Sequence, residues 1–189
     1  MKSTLVMGAV LTLSASLASG VVMAHGGASG IVKERMESMK EMKRSMKSMS
    51  AIFSGKSAYD AEVVKKAAQV IETKSGEAMT KLFPEGSVHG PSEAKPEIWQ
   101  EWDRFQSLAE QLKRYSRALE KAADNGMASG NAQGSMMGNS SMMGSGTMSS
   151  MMGDQGPSEE HLAEMPADAV FQMLTDTCSS CHTRYRVEE

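Results

Sequence analysis

The sequence is poor in aromatic residues, proline and cysteine, and it has no surplus of positive charge. Aromatics make up 5% of its 189 residues, against 40% hydrophobic residues in all, so any core must be aliphatic and rich in methionine. Five prolines and few β-branched runs disfavour an all-β fold. Two cysteines are too few for a disulfide scaffold, so their placement needs another explanation. The 20 Lys+Arg stand against 23 Asp+Glu, a formal charge of −3, whereas a nucleic-acid binder carries a basic excess. Beyond the first two dozen residues no apolar run reaches the ~20 residues that cross a bilayer. What is abundant is methionine, with 19 residues.

Met1-Lys2 supplies a short positive start, and residues 5–22 are apolar apart from Gly, Ser and Thr. Val22-Met23-Ala24 offers tolerated residues at the cleavage positions. The pattern predicts a secretory signal peptide over 1–24, removed after Ala24, and a periplasmic chain over 25–189. The competing reading is a retained anchor, which the Ser and Gly residues weaken. Losing Lys2 leaves 19 basic and 23 acidic residues, a charge of −4. The mature chain is therefore expected to be soluble, with no stable membrane insertion and no nucleic-acid partner.

Four amphipathic helices are predicted, over 31–53, 58–82, 97–124 and 166–186. The first carries Met36, Met39, Met42, Met46 and Met49 at steps of 3, 3, 4 and 3, one face of a helix. The second has Val63, Val64, Ala67, Val70 and Ile71 as its stripe, with Asp60 placed to cap it. The third repeats Ile98, Trp102, Phe105, Leu108, Leu112, Tyr115 and Leu119, and the fourth Ala169, Val170, Met173 and Leu174. This is an all-α pattern that predicts an antiparallel four-helix bundle. Residues 127–157 are nearly all Gly, Ser, Met, Asn and Gln, a composition that predicts a flexible insertion between the third and fourth helices.

The most specific motif is Cys178-Ser179-Ser180-Cys181-His182, a C-x-x-C-H sequence that signals covalent attachment of one c-type haem. Thiols at i and i+3 share a helical face and can each add to a porphyrin vinyl group. His182 can then ligate the iron. A thiol–disulfide centre is the first competing reading, but it goes with a βαβ pattern that is absent here. A zinc site is the second, but no further cysteine pair exists, and His25, His89 and His161 lack ligand spacing.

Three segments together resemble the class II cytochromes c, the cytochrome c′ family. They are Ile31-Val32-Lys33-Glu34-Arg35 followed by Met39; Lys95-Pro96-Glu97-Ile98-Trp99 with Phe105; and Cys178 to His182 with Tyr185-Arg186. The resemblance implies a four-helix bundle with haem attached to its C-terminal helix. It makes Cys178 and Cys181 the thioether attachment points and His182 an axial ligand. It places Arg186 beside the proximal pocket and Arg35 near a haem propionate. Met36 stands where the family often has Gln, a departure from its pattern. Met39 falls at the position facing the distal side of the iron, where it either ligates or only packs, with Met36 and Met42 as rival ligands one turn away.

The expected function is that of an exported monohaem cytochrome carrying single electrons between redox partner proteins, not an enzyme. The alternative is a five-coordinate haem protein that binds small gases such as nitric oxide or carbon monoxide. Relatives dimerise through their first two helices, so a homodimer is a further expectation. Eight thioethers between Met127 and Met152 also suggest weak copper(I) binding; the competing reading is a linker whose methionines only absorb oxidants.

Overall fold

The structure, a computed structural model, describes residues 28–88, 90–128 and 157–187. Seven helices run in order through it: α1 (Gly30–Phe53), α2 (Ala61–Lys74), α3 (Glu77–Thr80), α4 (Glu97–Gln100), α5 (Trp102–Ala122), α6 (Glu159–Glu164) and α7 (Ala167–Tyr185). The long ones, α1, α2, α5 and α7, form the four-helix bundle. Among the described residues there is no strand, only an isolated antiparallel bridge between Ala94 and Arg186. The insertion over 127–157 lies almost wholly outside the described residues.

Local chemistry explains where the elements start and stop. Asp60 caps α2 as expected, its Oδ1 accepting from the amides of Glu62 and Val63 at 3.0 and 3.2 Å. The single helix expected over 58–82 is instead broken at Ser75-Gly76. Gly76 adopts φ +60°, and its amide donates to the Ala109 carbonyl of α5 at 2.9 Å. A Cβ at Gly76 would meet only the flexible side chains of Glu110 and Lys113, which can move aside, so it is the positive φ of the turn that calls for glycine.

The helix expected over 97–124 breaks at Glu101 (φ −123°, ψ 41°) into α4 and α5, and a 3₁₀ turn, Ala123–Asn125, ends it. Val63, assigned above to the apolar stripe, faces out, while Val64, Ala67 and Ile71 are buried. Helix α6 was not foreseen; Ser158 Oγ caps it by accepting from the His161 amide.

Helix α2 packs against α1 and α5, α5 packs against α7, and α6 lies on α5. Ala68, Ala118 and Ala122 are fully buried, which lets α2 and α5 approach closely. The remaining neighbours, α1 and α7, do not pack along their length. They meet where Phe53, at the end of α1, stacks on Phe171, near the start of α7, with ring centroids 4.6 Å apart. A crevice therefore separates the rest of these two antiparallel helices.

Candidate functional site

The helical repeat aims the chemistry into this crevice. Cys178 and His182 follow Phe171 at i+7 and i+11, so they repeat the position whose ring faces α1. On α1, Met49, Met46, Met42, Met39 and Arg35 repeat the position of Phe53 in the same way. One wall thus carries a thiol and an imidazole, and the other a column of thioethers with a guanidinium at its far end.

Cys178 and Cys181 are free, partly buried, and packed against the core. Burial pushes each thiol up to about 11, so both are protonated near neutral pH. A disulfide-exchange centre needs the opposite, a depressed thiol. Among the described residues no three His, Cys, Asp or Glu gather as a metal-ion site, which leaves the zinc reading without ligands.

His182 is exposed as a residue, yet burial of the imidazole lowers its affinity for protons, and the Arg186 charge adds to this. Glu93 works the other way. A neutral imidazole is what an iron atom requires of a ligand. Two protonated thiols three residues apart, a neutral imidazole beside them and an apolar, sulfur-lined wall opposite suit a covalently held haem.

The methionines of α1 differ in their surroundings. Met42 and Met49 are buried, and Met39 and Met46 are partly buried against the core. Met36 does not join that packing, which weakens it as a rival ligand. Two surface hollows of about 420 and 360 Å³ lie elsewhere, the first against Phe83, Trp99 and Trp102, and neither is lined by Cys178, Cys181 or His182.

Arg35 is buried, and the chain uses most of its hydrogen-bonding capacity. Its Nε and Nη2 donate to the Leu82 carbonyl at 3.2 and 2.9 Å. Nη2 also donates to the carbonyl and hydroxyl of Ser87, and Nη1 to Ser92 Oγ at 2.9 Å. The guanidinium lies 4.1 Å from the centre of the Phe83 ring. Of its five N–H groups, one on Nη1 is left for a further acceptor.

Arg186 is not on the helical face of His182, as its spacing implied, because α7 ends at Tyr185 and Arg186 is extended (φ −111°, ψ 137°). Its Nε donates to Glu93 Oε2 at 2.7 Å. Around it, the Lys95 amide donates to the Tyr185 carbonyl and the Val187 amide to the Glu93 carbonyl, both at 2.8 Å. Glu101 accepts from Arg184 and from the Tyr185 hydroxyl. Segment 82–101 thus straps the two walls together, held to α1 by Arg35 and to α7 by residues 184–187. Ser87, Ser92, Glu93 and Glu101 carry no signal in the sequence: the first three look like ordinary loop residues, and Glu101 like one more charge on the polar face of a helix.

Comparison with known proteins identifies the family and the fold. Residues 30–140 match the family model described as Cytochrome C′, which covers α1 to α5 and stops before the Cys–His motif. The chain is 30% identical over 166 residues to cytochrome c-556 of Agrobacterium tumefaciens (strain II Chrys), covering 85% of this chain and 100% of that protein. It is similar to a solved cytochrome c′ with an unusual ligand-controlled dimer dissociation, at 20% identity over 86% of this chain and 99% of that one, TM-score 0.57. A ferrous cytochrome c′ variant from Alcaligenes xylosoxidans with bound NO is similar at 21% identity over 84% and 94%, TM-score 0.55. At these identities the solved structures speak to the fold.

Proposed function

The chain belongs to the cytochrome c′ family, and on that premise we propose that it is an exported carrier of single electrons, built around one covalently attached haem. Bound haem iron supplies a one-electron ferric/ferrous couple. The observation that carries the reading is the crevice in which Cys178 and His182 face the methionines of α1. Cys178 and Cys181 would hold the haem by thioethers and His182 would ligate its iron. Met39, by its register with Arg35, would be the sixth ligand and close the site to small molecules. A Met/His pair raises the reduction potential, as suits a carrier rather than an enzyme. The free N–H of Arg35 would serve a propionate, and Arg186 would lie beside the proximal imidazole.

Export through a signal peptide over 1–24 places the carrier in the periplasm, where it meets its redox partner proteins. A homodimer belongs to the same reading, by analogy with the cytochrome c′ whose dimer dissociates under ligand control. Copper(I) binding by the methionines between Met127 and Met152 would be a separate, added role of a segment that, past Ala128, lies outside the described residues. The second reading, an open haem that binds gases, draws on the NO-bound relative and on Met39 as a packing residue only.

The absorption spectrum of the purified protein separates the two. Low-spin bands in both oxidation states, unchanged by carbon monoxide, are expected of the carrier. A high-spin ferrous spectrum that shifts with carbon monoxide would establish the gas binder instead.

A further inference from the structure

Arg186 stands where α7 ends. Its amide donates to the His182 carbonyl at 3.0 Å, and an antiparallel bridge pairs it with Ala94 of the strap. The bonds on either side of that bridge, from the Lys95 amide to the Tyr185 carbonyl and from the Val187 amide to the Glu93 carbonyl, are made by the main chain alone. They set Glu93 against Arg186, and Glu93 Oε2 accepts from Arg186 Nε at 2.7 Å. A carboxylate from the strap is thereby joined to the cation that follows the imidazole by one helical turn.

The pair adds little to the hold of the strap. Its side chains are 42% and 40% exposed, and an ion pair within reach of water stabilises weakly. The main-chain bonds already make the same join, and Glu101 anchors α7 separately through Arg184 and the Tyr185 hydroxyl. What the pair can change is the field at His182. The Arg186 charge lowers the affinity of the imidazole for protons and the Glu93 charge raises it, so both fields reach the ring. Arg184 lies two residues from His182, about 200° round the helix, and is matched by Glu101.

We propose that Glu93 tunes the redox site: its carboxylate, held on the strap, offsets the Arg186 cation beside His182 and so sets how readily the site takes up its electron. The inference rests on the electron-carrier reading above. A ferrous iron carries one positive charge less than a ferric one, so a nearby cation favours the ferrous form and a nearby anion the ferric form. Glu93 and Arg186 therefore act in opposite directions on the same couple.

Spectroelectrochemical titration of the full-length haem protein tests this, in ~10 mM salt, where screening is weak. The ferric protein gains one electron from a mediator dye and the dye loses it; no bond or proton moves. At the applied potential that half-reduces the unaltered protein, Glu93→Gln should raise the ferrous-to-ferric ratio about threefold, and Arg186→Gln should lower it by a similar factor. The double variant should return close to the unaltered ratio. Glu93→Asp keeps the charge and should stay within about twofold. Gln at position 93 leaves the main-chain bridge in place, so the variant is expected to fold.

A pair that only braced the strap would be broken equally from either side. The two single variants would then shift the ratio in the same direction or leave it unmoved, and either result overturns the proposal. A Glu93→Asp protein shifted as far as Glu93→Gln overturns it too. A protein with no one-electron ferric/ferrous couple fails the carrier reading itself. A couple that ignores Glu93 leaves that reading standing and loses only the tuning role.

Discussion

Replacing Met39 with Leu is expected to turn a low-spin haem spectrum into a high-spin one and to open the iron to carbon monoxide. Leu has nearly the volume of Met and fills the same partly buried place against the core, so the fold should lose less than ~1.5 kcal/mol. What it lacks is the thioether sulfur. The reduction potential should also fall, because sulfur ligation favours reduced iron. A variant spectrum that stays low-spin would show that Met39 only packs. Met42, buried one turn further along the same face, would then be the first alternative.

Replacing Arg35 with Ala is expected to cost about 2–4 kcal/mol of stability, read as a lower denaturant midpoint. The change strands the Leu82 and Ser87 carbonyls and the buried Ser87 hydroxyl, takes one partner from Ser92 Oγ, and removes the cation from the Phe83 ring. Because the same segment reaches α7 through Glu93 and Lys95, slackness at Arg35 should also raise amide exchange at residues 184–187. Lys should not restore the loss, since a single ammonium cannot span acceptors that the planar fork reaches together. A loss below about 0.5 kcal/mol would mean that the strap holds without Arg35.

The elements that could be read from the sequence are those whose cause is local. The 3, 3, 4, 3 spacing of the α1 methionines marks a helix of the right extent, and Asp60 marks the start of α2 within a few residues. The breaks at Gly76 and Glu101 were hidden because apolar periodicity runs on past both, through Met79 and Leu82 in one case and Trp102 and Phe105 in the other. What ends those helices comes from elsewhere: the Ala109 carbonyl for Gly76, and Arg184 and Tyr185 for Glu101. The site divides in the same way. Cys178, Cys181 and His182 stand together in one turn of helix and declare their chemistry by spacing. Arg35 finds its partners 47 to 57 residues away and Arg186 finds Glu93 at a separation of 93, so neither environment has a local signal.

The central claim is that Cys178 and Cys181 carry haem covalently, with His182 on its iron. Its most direct test is to denature the purified, exported protein in acid and extract it with organic solvent. The account predicts that the haem absorbance stays with the polypeptide, and that the doubly substituted Cys178→Ala, Cys181→Ala protein releases any haem it has bound. Haem that passes into the solvent from the unaltered protein would contradict it.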